Sequence, residues 1–201
     1  MFYRFCVFIC WVIVKVFFRL KVSGRERLPR EEAVMIVANH TSFLDPVVIG
    51  VAAGRVLFYV ARKDLFDIPV FGKLLLNINV MPISRGRFEL SVFHKISKLV
   101  KGNKAFVIFP EGTRSKTGEI QSGKAGVGLI AWKTRVKIVP AFIKGSYEAW
   151  PARAKIFHPA KIEIVFGMPL ELNHFYQQTP SRELYRKMAD KMMQSIKALA
   201  N

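Results

Sequence analysis

Acidic residues are scarce in this chain of 201: 14 Asp+Glu stand against 32 Lys+Arg, a formal net charge of +18. Cysteine is scarcer still. Cys6 and Cys10 sit within one apolar run, which excludes a disulfide framework and a metal-ligand spacing and points to a reducing compartment. His94, His158 and His174 lie apart from one another and from either cysteine, so no metal is expected. Also missing is an uninterrupted apolar stretch of about 20 residues, the length of a membrane-crossing helix. No linker-like tract or internal repeat breaks the chain, and its length fits one domain with a short appendage. What is plentiful is apolar: 51% hydrophobic residues, with 17 Phe, exclude a disordered polypeptide. So basic and so apolar a chain fits one of two partners, nucleic acid or an anionic surface that also offers hydrocarbon.

The longest apolar run, residues 5–14, stops at Lys15; Val16, Phe17 and Phe18 resume it before Arg19 and Lys21. A secretory signal needs small residues at a cleavage site, and Lys15, Phe17, Phe18 and Arg19 stand there instead. The run reads as a helix lying in, or dipping into, one leaflet. Arg4, Lys15, Arg19 and Lys21 would snorkel to phosphates, with Trp11 at the acyl boundary. A helix packed on the protein's own core competes with that reading. The lack of any acidic residue before Glu26 favours the membrane. The expected division is therefore residues 1–24, a membrane-associating helix, and 25–201, the main domain.

From residue 33 onward short apolar strands alternate with amphipathic segments. Strands are expected over 33–38, 56–61, 78–83, 105–109, 138–143 and 162–166. Helices are expected from Asp45-Pro46, along Phe88, Val92, Ile96 and Leu99, over 124–132 and over 181–200. The last carries Leu184, Met188, Met192, Ile196 and Leu199 on one face, with Pro180 and Ser181 as its start signals. This alternation predicts a single layered α/β domain with a mostly parallel or mixed central sheet flanked by helices.

Two stretches carry chemistry. Asn39-His40-Thr41-Ser42-Phe43-Leu44-Asp45-Pro46 follows the first buried strand. Five residues of helix would set His40 and Asp45 about 140° apart, whereas a strand end, a loop and a helix capped by Asp45 can bring them together. His40 with a carboxylate beside it is a candidate general base, its tautomer fixed and its cation stabilised by Asp45; a hydrogen-bonded structural histidine fits the same pair. Thr41 and Ser42 belong to the turn. The second stretch, Phe109-Pro110-Glu111-Gly112-Thr113-Arg114-Ser115, leaves another buried strand at a sheet edge. Gly112 lets backbone approach a ligand, Arg114 can hold a phosphate or carboxylate bidentately, and Glu111 can accept from hydroxyls. A turn with a surface Arg–Glu pair fits that spacing equally.

Asn-His-x-Ser-x-x-Asp-Pro at 39–46, Ile83-Ser84-Arg85-Gly86, Phe-Pro-Glu-Gly-Thr-Arg-Ser at 109–115, Lys124-Ala125-Gly126 and Val139-Pro140-Ala141 occur in that order. Together they resemble the glycerolipid acyltransferase family, and within it the 1-acylglycerol-3-phosphate (lysophosphatidic acid) acyltransferases, over roughly residues 25 to 170.

The resemblance implies transfer of a fatty acyl group from acyl-CoA or acyl-acyl carrier protein to the sn-2 hydroxyl of 1-acylglycerol-3-phosphate, making phosphatidic acid. His40 would deprotonate the hydroxyl and Asp45 would orient His40, so no nucleophilic Ser or Cys is required. Asn39 or nearby backbone N–H groups would stabilise the oxyanion. Glu111, Gly112, Thr113 and Arg114 would line the glycerol-phosphate, with Arg85 and Lys124 as further phosphate ligands. No cofactor is implied, the acyl donor being a substrate. The implied partners are a membrane phospholipid surface, the lysophospholipid and the donor, and the implied location is the cytoplasmic face of a membrane. Glycerol-3-phosphate or another lysophospholipid is the alternative acceptor. A basic binding module without catalysis is a further reading; nucleic acid is disfavoured because the basic residues form no recognised module with exposed aromatics. Hydrolysis is disfavoured because no Gly-x-Ser-x-Gly elbow occurs.

Overall fold

Five consecutive apolar residues, Val34–Ala38, form strand β2, and every one is buried. A strand covered on both faces has no polar side to alternate with, which marks the centre of a parallel sheet. The computed structural model describes residues 2–69, 71–83, 90–151, 153–154 and 156–200. Before β2 come helix α1 (Phe2–Phe18) and strand β1 (Lys21–Ser23). After it come α2 (Asp45–Ala52), β3 (Leu57–Arg62), α3 (Phe71–Asn77), β4 (Val80–Ile83), α4 (Leu90–Lys101) and β5 (Ala105–Ile108). The chain continues with α5 (Ala125–Thr134), β6 (Lys137–Lys144), α6 (Ser146–Ala149), β7 (Glu163–Phe166), α7 (Asn173–Tyr176) and α8 (Arg182–Ala198).

Among the described residues the sheet has the order β1-β7-β6-β2-β5-β3-β4. The five strands from β6 to β4 are parallel, β7 is antiparallel to β6, and β1 runs parallel to β7. The sheet is thus mixed, within the predicted α/β layering. Because side chains alternate along a strand, Val34, Ile36 and Ala38 face Val14, Phe18, Val48 and Ile49 of α1 and α2. Met35 and Val37 face the other layer, with Ile96 of α4, Ile130 of α5 and Met188 and Met192 of α8. Leu184 and Ile196 of the expected α8 stripe are buried as well, while Leu199 lies past the helix end, half-buried. Ser181 caps α8, its hydroxyl accepting the Leu184 N–H.

Both readings of the N-terminal run have a counterpart in α1. Val14 and Phe18 are buried in the core, whereas Phe5, Phe8, Val16 and Phe17 are exposed. Lys15 folds over the Trp11 ring, its Nζ 4.8 Å from the centroid. No helix among the described residues is long and apolar enough to cross a membrane. β1, inside the segment 1–24, pairs with β7 in the main sheet.

β2 lies between β5 and β6. The chain leaves β2 for β3 on one side, and leaves β5 for β6 on the other. That reversal opens a crevice at the carboxyl ends of β2 and β5, where ligands of open α/β sheets bind.

Candidate active site

Both motif stretches emerge at that crevice. Asn39 comes first, and its side chain extends the pairing of β2 with β6: Nδ2 donates to the Ile143 carbonyl at 2.9 Å and Oδ1 accepts the Ile143 N–H at 2.8 Å. It is buried. Its amide ties two strand ends together rather than facing the crevice, in contrast to the expected substrate contact.

His40 follows, with its side chain 17% exposed, and its Nδ1 lies 2.8 Å from Oδ2 of the fully buried Asp45. The same oxygen accepts the backbone N–H groups of Thr41 at 2.7 Å and Ser42 at 2.8 Å. An ionised carboxylate only accepts, so Nδ1 carries the proton and Nε2 is left with a free lone pair. The expectation that Asp45 caps α2 is corrected here. Leu44 occupies the cap position without a side-chain bond, and Asp45 is the first helical residue, followed by Pro46. Its carboxylate turns back onto the loop because three donors converge there. Thr41 and Ser42 lie in the loop between β2 and α2: the Thr41 hydroxyl meets that of Ser146, and the Ser42 hydroxyl donates to the Trp150 carbonyl at 2.6 Å.

The second loop holds the first by its main chain. Glu111 Oε1 accepts the His40 N–H at 2.9 Å, and the Ser115 N–H donates to the His40 carbonyl at 2.7 Å. Glu111 is 2% exposed, and burial pushes its carboxyl up to about 7, against the hydrogen bonds from His40 and Gln121. The expected contact of Glu111 with substrate hydroxyls is replaced at Oε1 by this bond to the backbone. With His40 N–H on Glu111 and those of Thr41 and Ser42 on Asp45, these three amides are committed and unavailable to an oxyanion.

Phe109 and Gly112 close a turn, Gly112 N–H to Phe109 carbonyl at 3.0 Å, with Pro110 in the position that favours its fixed φ. Gly112 itself has φ +68°, and a Cβ there would stand 2.8 Å from Lys124 Nζ. Lys124 therefore lies across the turn, its own N–H bonded to the Pro110 carbonyl at 2.9 Å, and the two predicted site residues are neighbours. Thr113 is exposed and Arg114 half-buried. The Arg114 guanidinium stacks on the Phe43 ring, 3.5 Å from its centroid. Arg85 lies outside the described residues.

Three aromatic neighbours were not singled out by sequence. Phe109 stacks on the His40 ring, centroids 4.0 Å apart and 17° from parallel. Phe43 supports Arg114, and Trp150 lies 5.3 Å from Phe43. Phe43 and Phe109 stand inside the two motifs, but an aromatic in an apolar stretch carries no mark separating a site wall from packing. Behind Phe109 opens a cavity of about 150 Å³, lined by Val60, Ile83, Ile96, Ile108, Val127 and Ile130, with Gly112 and Lys124 also on its wall. A basic imidazole nitrogen, cations on the adjoining loops and an apolar cavity suit an anionic substrate with a hydroxyl and a long apolar tail.

A family model described as acyltransferase matches residues 19–144. The chain is 30% identical over 200 residues to a 1-acyl-sn-glycerol-3-phosphate acyltransferase of Bacillus subtilis, covering 99% of this chain and 97% of that one. It is 28% identical over 166 residues to a chloroplast 1-acyl-sn-glycerol-3-phosphate acyltransferase of Arabidopsis thaliana, 80% of this chain but 46% of that longer protein. The fold is shared with the crystal structure of the 1-acyl-sn-glycerophosphate (LPA) acyltransferase of Thermotoga maritima, with a TM-score of 0.77 at 24% identity over 98% of this chain and 81% of that one. With the matched region spanning more than half its length, including both loops that meet at His40, the chain belongs to the acyltransferase family.

Proposed function

We propose that the protein transfers a fatty acyl group from acyl-CoA or acyl-acyl carrier protein to the sn-2 hydroxyl of 1-acylglycerol-3-phosphate, with His40 as general base. The observation that carries this reading is the bond between His40 Nδ1 and Asp45 Oδ2 at 2.8 Å. It supports Nε2 as the basic atom. Nε2 takes the acceptor's hydroxyl proton as the oxygen attacks the thioester carbonyl. The tetrahedral oxyanion collapses, the C–S bond breaks, and the imidazolium returns its proton to the departing thiolate. Asp45 stabilises the imidazolium without itself taking the proton. Arg114 and Lys124 hold the phosphate as a planar fork and a point charge, Arg85 adds a third cation, and Gly112 and Thr113 let the glycerol backbone lie close. The apolar cavity behind Phe109 takes part of an acyl chain. The names of the relatives support lysophosphatidate as acceptor, and the exposed face of α1 beside Lys15 and Arg19 supports attachment to a membrane surface; the cytoplasmic face is the side proposed.

The test is a turnover assay in detergent micelles, with lysophosphatidate or glycerol-3-phosphate each offered with both donors and the product identified by mass. Phosphatidate from lysophosphatidate is expected, and product from glycerol-3-phosphate alone would move the acceptor. His40→Ala should abolish turnover while lysophosphatidate binding survives; residual full-rate turnover would remove His40 as the base.

A further inference from the structure

The segment between α6 and β7 carries two exposed apolar residues that the catalytic reading leaves unused. Ile156 is 70% exposed and Phe157 38% exposed. Phe157 is not isolated: its ring lies edge-on to Phe17 at 6.0 Å and to Phe18 at 5.7 Å, at the carboxyl end of α1. On its other side it meets Trp150 at 6.0 Å, and Trp150 meets Phe43 beneath Arg114. An aromatic strip therefore runs from the exposed face of α1 to the mouth of the site. The backbone is tied at both ends of the segment. Ser42 pairs with Pro151 and its hydroxyl bonds the Trp150 carbonyl, while the Ile162 N–H donates to the Phe18 carbonyl at 2.9 Å. Arg19, Arg153 and Lys161 are exposed around the strip.

We infer that residues 156–160 form a second lipid-contacting element, Ile156 and Phe157 entering an anionic phospholipid surface beside α1. The inference rests on the proposed membrane attachment and extends it to a segment about 140 residues away in sequence from α1. Apolar side chains flanked by cations match a bilayer that offers acyl chains below and phosphates above, and the strip is continuous with the α1 face. Two points of contact fix an orientation that one helix leaves free to roll. Through Trp150 and Phe43 that orientation turns the mouth of the site toward the lipid.

The test is flotation of the full chain with phosphatidylcholine vesicles containing phosphatidylglycerol. Ile156 is largely exposed, so Ile156→Glu leaves the core intact, which a thermal melt checks. Loss of one apolar contact should weaken partitioning about tenfold, and Ile156→Trp should strengthen it. Equal flotation of wild type and both variants overturns the element. Val16→Glu separates it from its premise: if that change on α1 abolishes flotation while Ile156→Glu does not, membrane attachment stands and the second element falls. Wild-type protein that fails to float overturns both. Self-association lost on Ile156→Glu, with flotation unchanged, would give the patch to a second copy and also overturn the element.

Discussion

Glu111 and His40 are joined through the main chain and not through the imidazole: Glu111 Oε1 accepts the His40 backbone N–H at 2.9 Å. A carboxylate so placed would position the proposed base instead of holding substrate. Glu111→Gln keeps an acceptor at the same place and should retain most of kcat. Glu111→Ala leaves a donor without its partner, at a cost of about 1–3 kcal/mol. It should lower kcat at least tenfold with little change in KM for the acceptor. Steady-state kinetics separates the roles, because a substrate-holding Glu111 would instead raise KM in both variants.

The same carboxyl predicts a pH dependence of stability. Burial raises Glu111 from 4.5 to about 7, so the folded chain favours the protonated form. Its contribution is complete below the unfolded value and is lost as pH rises through about 7. Glu111→Gln removes that dependence. Between pH 5 and 8, roughly the interval this titration spans, wild type should lose on the order of 2 kcal/mol relative to the Gln variant. Chemical denaturation of both at several pH values measures it, and parallel curves would deny the shift.

Asp45→Asn tests what the three donors on Oδ2 accomplish. One oxygen takes all three bonds, so an amide cannot both accept from Thr41 and Ser42 and turn its N–H to His40. An amide that instead presents its N–H toward His40 favours the tautomer with the proton on Nε2, which cannot act as a base. A fall in kcat of about 10⁴ is expected, the size seen when the orienting carboxylate of a triad is replaced by its amide. The pH–rate profile should change shape, which a purely structural loss would not require.

Arg114 stacks on Phe43 at 3.5 Å, a contact that a planar guanidinium makes and an ammonium makes less well. Arg114→Lys keeps the charge and loses both the fork and the stack. KM for a phosphate-bearing acceptor should rise about tenfold, equivalent to roughly 1.4 kcal/mol, with kcat less affected. Phe43→Leu should give a smaller rise in the same direction. Equal KM values in all three proteins would place the phosphate elsewhere.

What sequence disclosed and what it hid divide along the range of the interactions. The run Val34–Ala38 announces a central strand because burial on both faces leaves only apolar residues. The loops after β2 and β5 announce the site because parallel strands end together. Asp45 reads as a helix cap because cap rules look forward to the N–H groups two or three residues on, while its carboxylate accepts from two backbone amides and an imidazole three to five residues back. Asn39 clamps Ile143 across 104 positions, a distance at which no local pattern operates. β1 is three residues with an exposed-intermediate-exposed pattern, too short and too polar to announce itself, and exists because β7 offers it an edge.

Gly128 offers a test of the fold apart from the site. It lies within α5, where Ala would ordinarily improve a helix by about 1 kcal/mol. A Cβ at Gly128, however, would stand 2.0 Å from the Tyr185 carbonyl oxygen of α8. That atom is backbone, so no rotamer change relieves the clash and α8 must move off α5. Its Met188 and Met192, fully buried against the sheet, would move with it. Overpacking of this kind costs about 1–3 kcal/mol or more, and rigid backbone on the receiving side puts it at the upper end. Packing should therefore override propensity, and Gly128→Ala should lower Tm by roughly 4–10 °C for a chain of this size. A rise in Tm would mean that α5 and α8 do not meet so closely, and the layer beneath Met35 and Val37 would have to be redrawn.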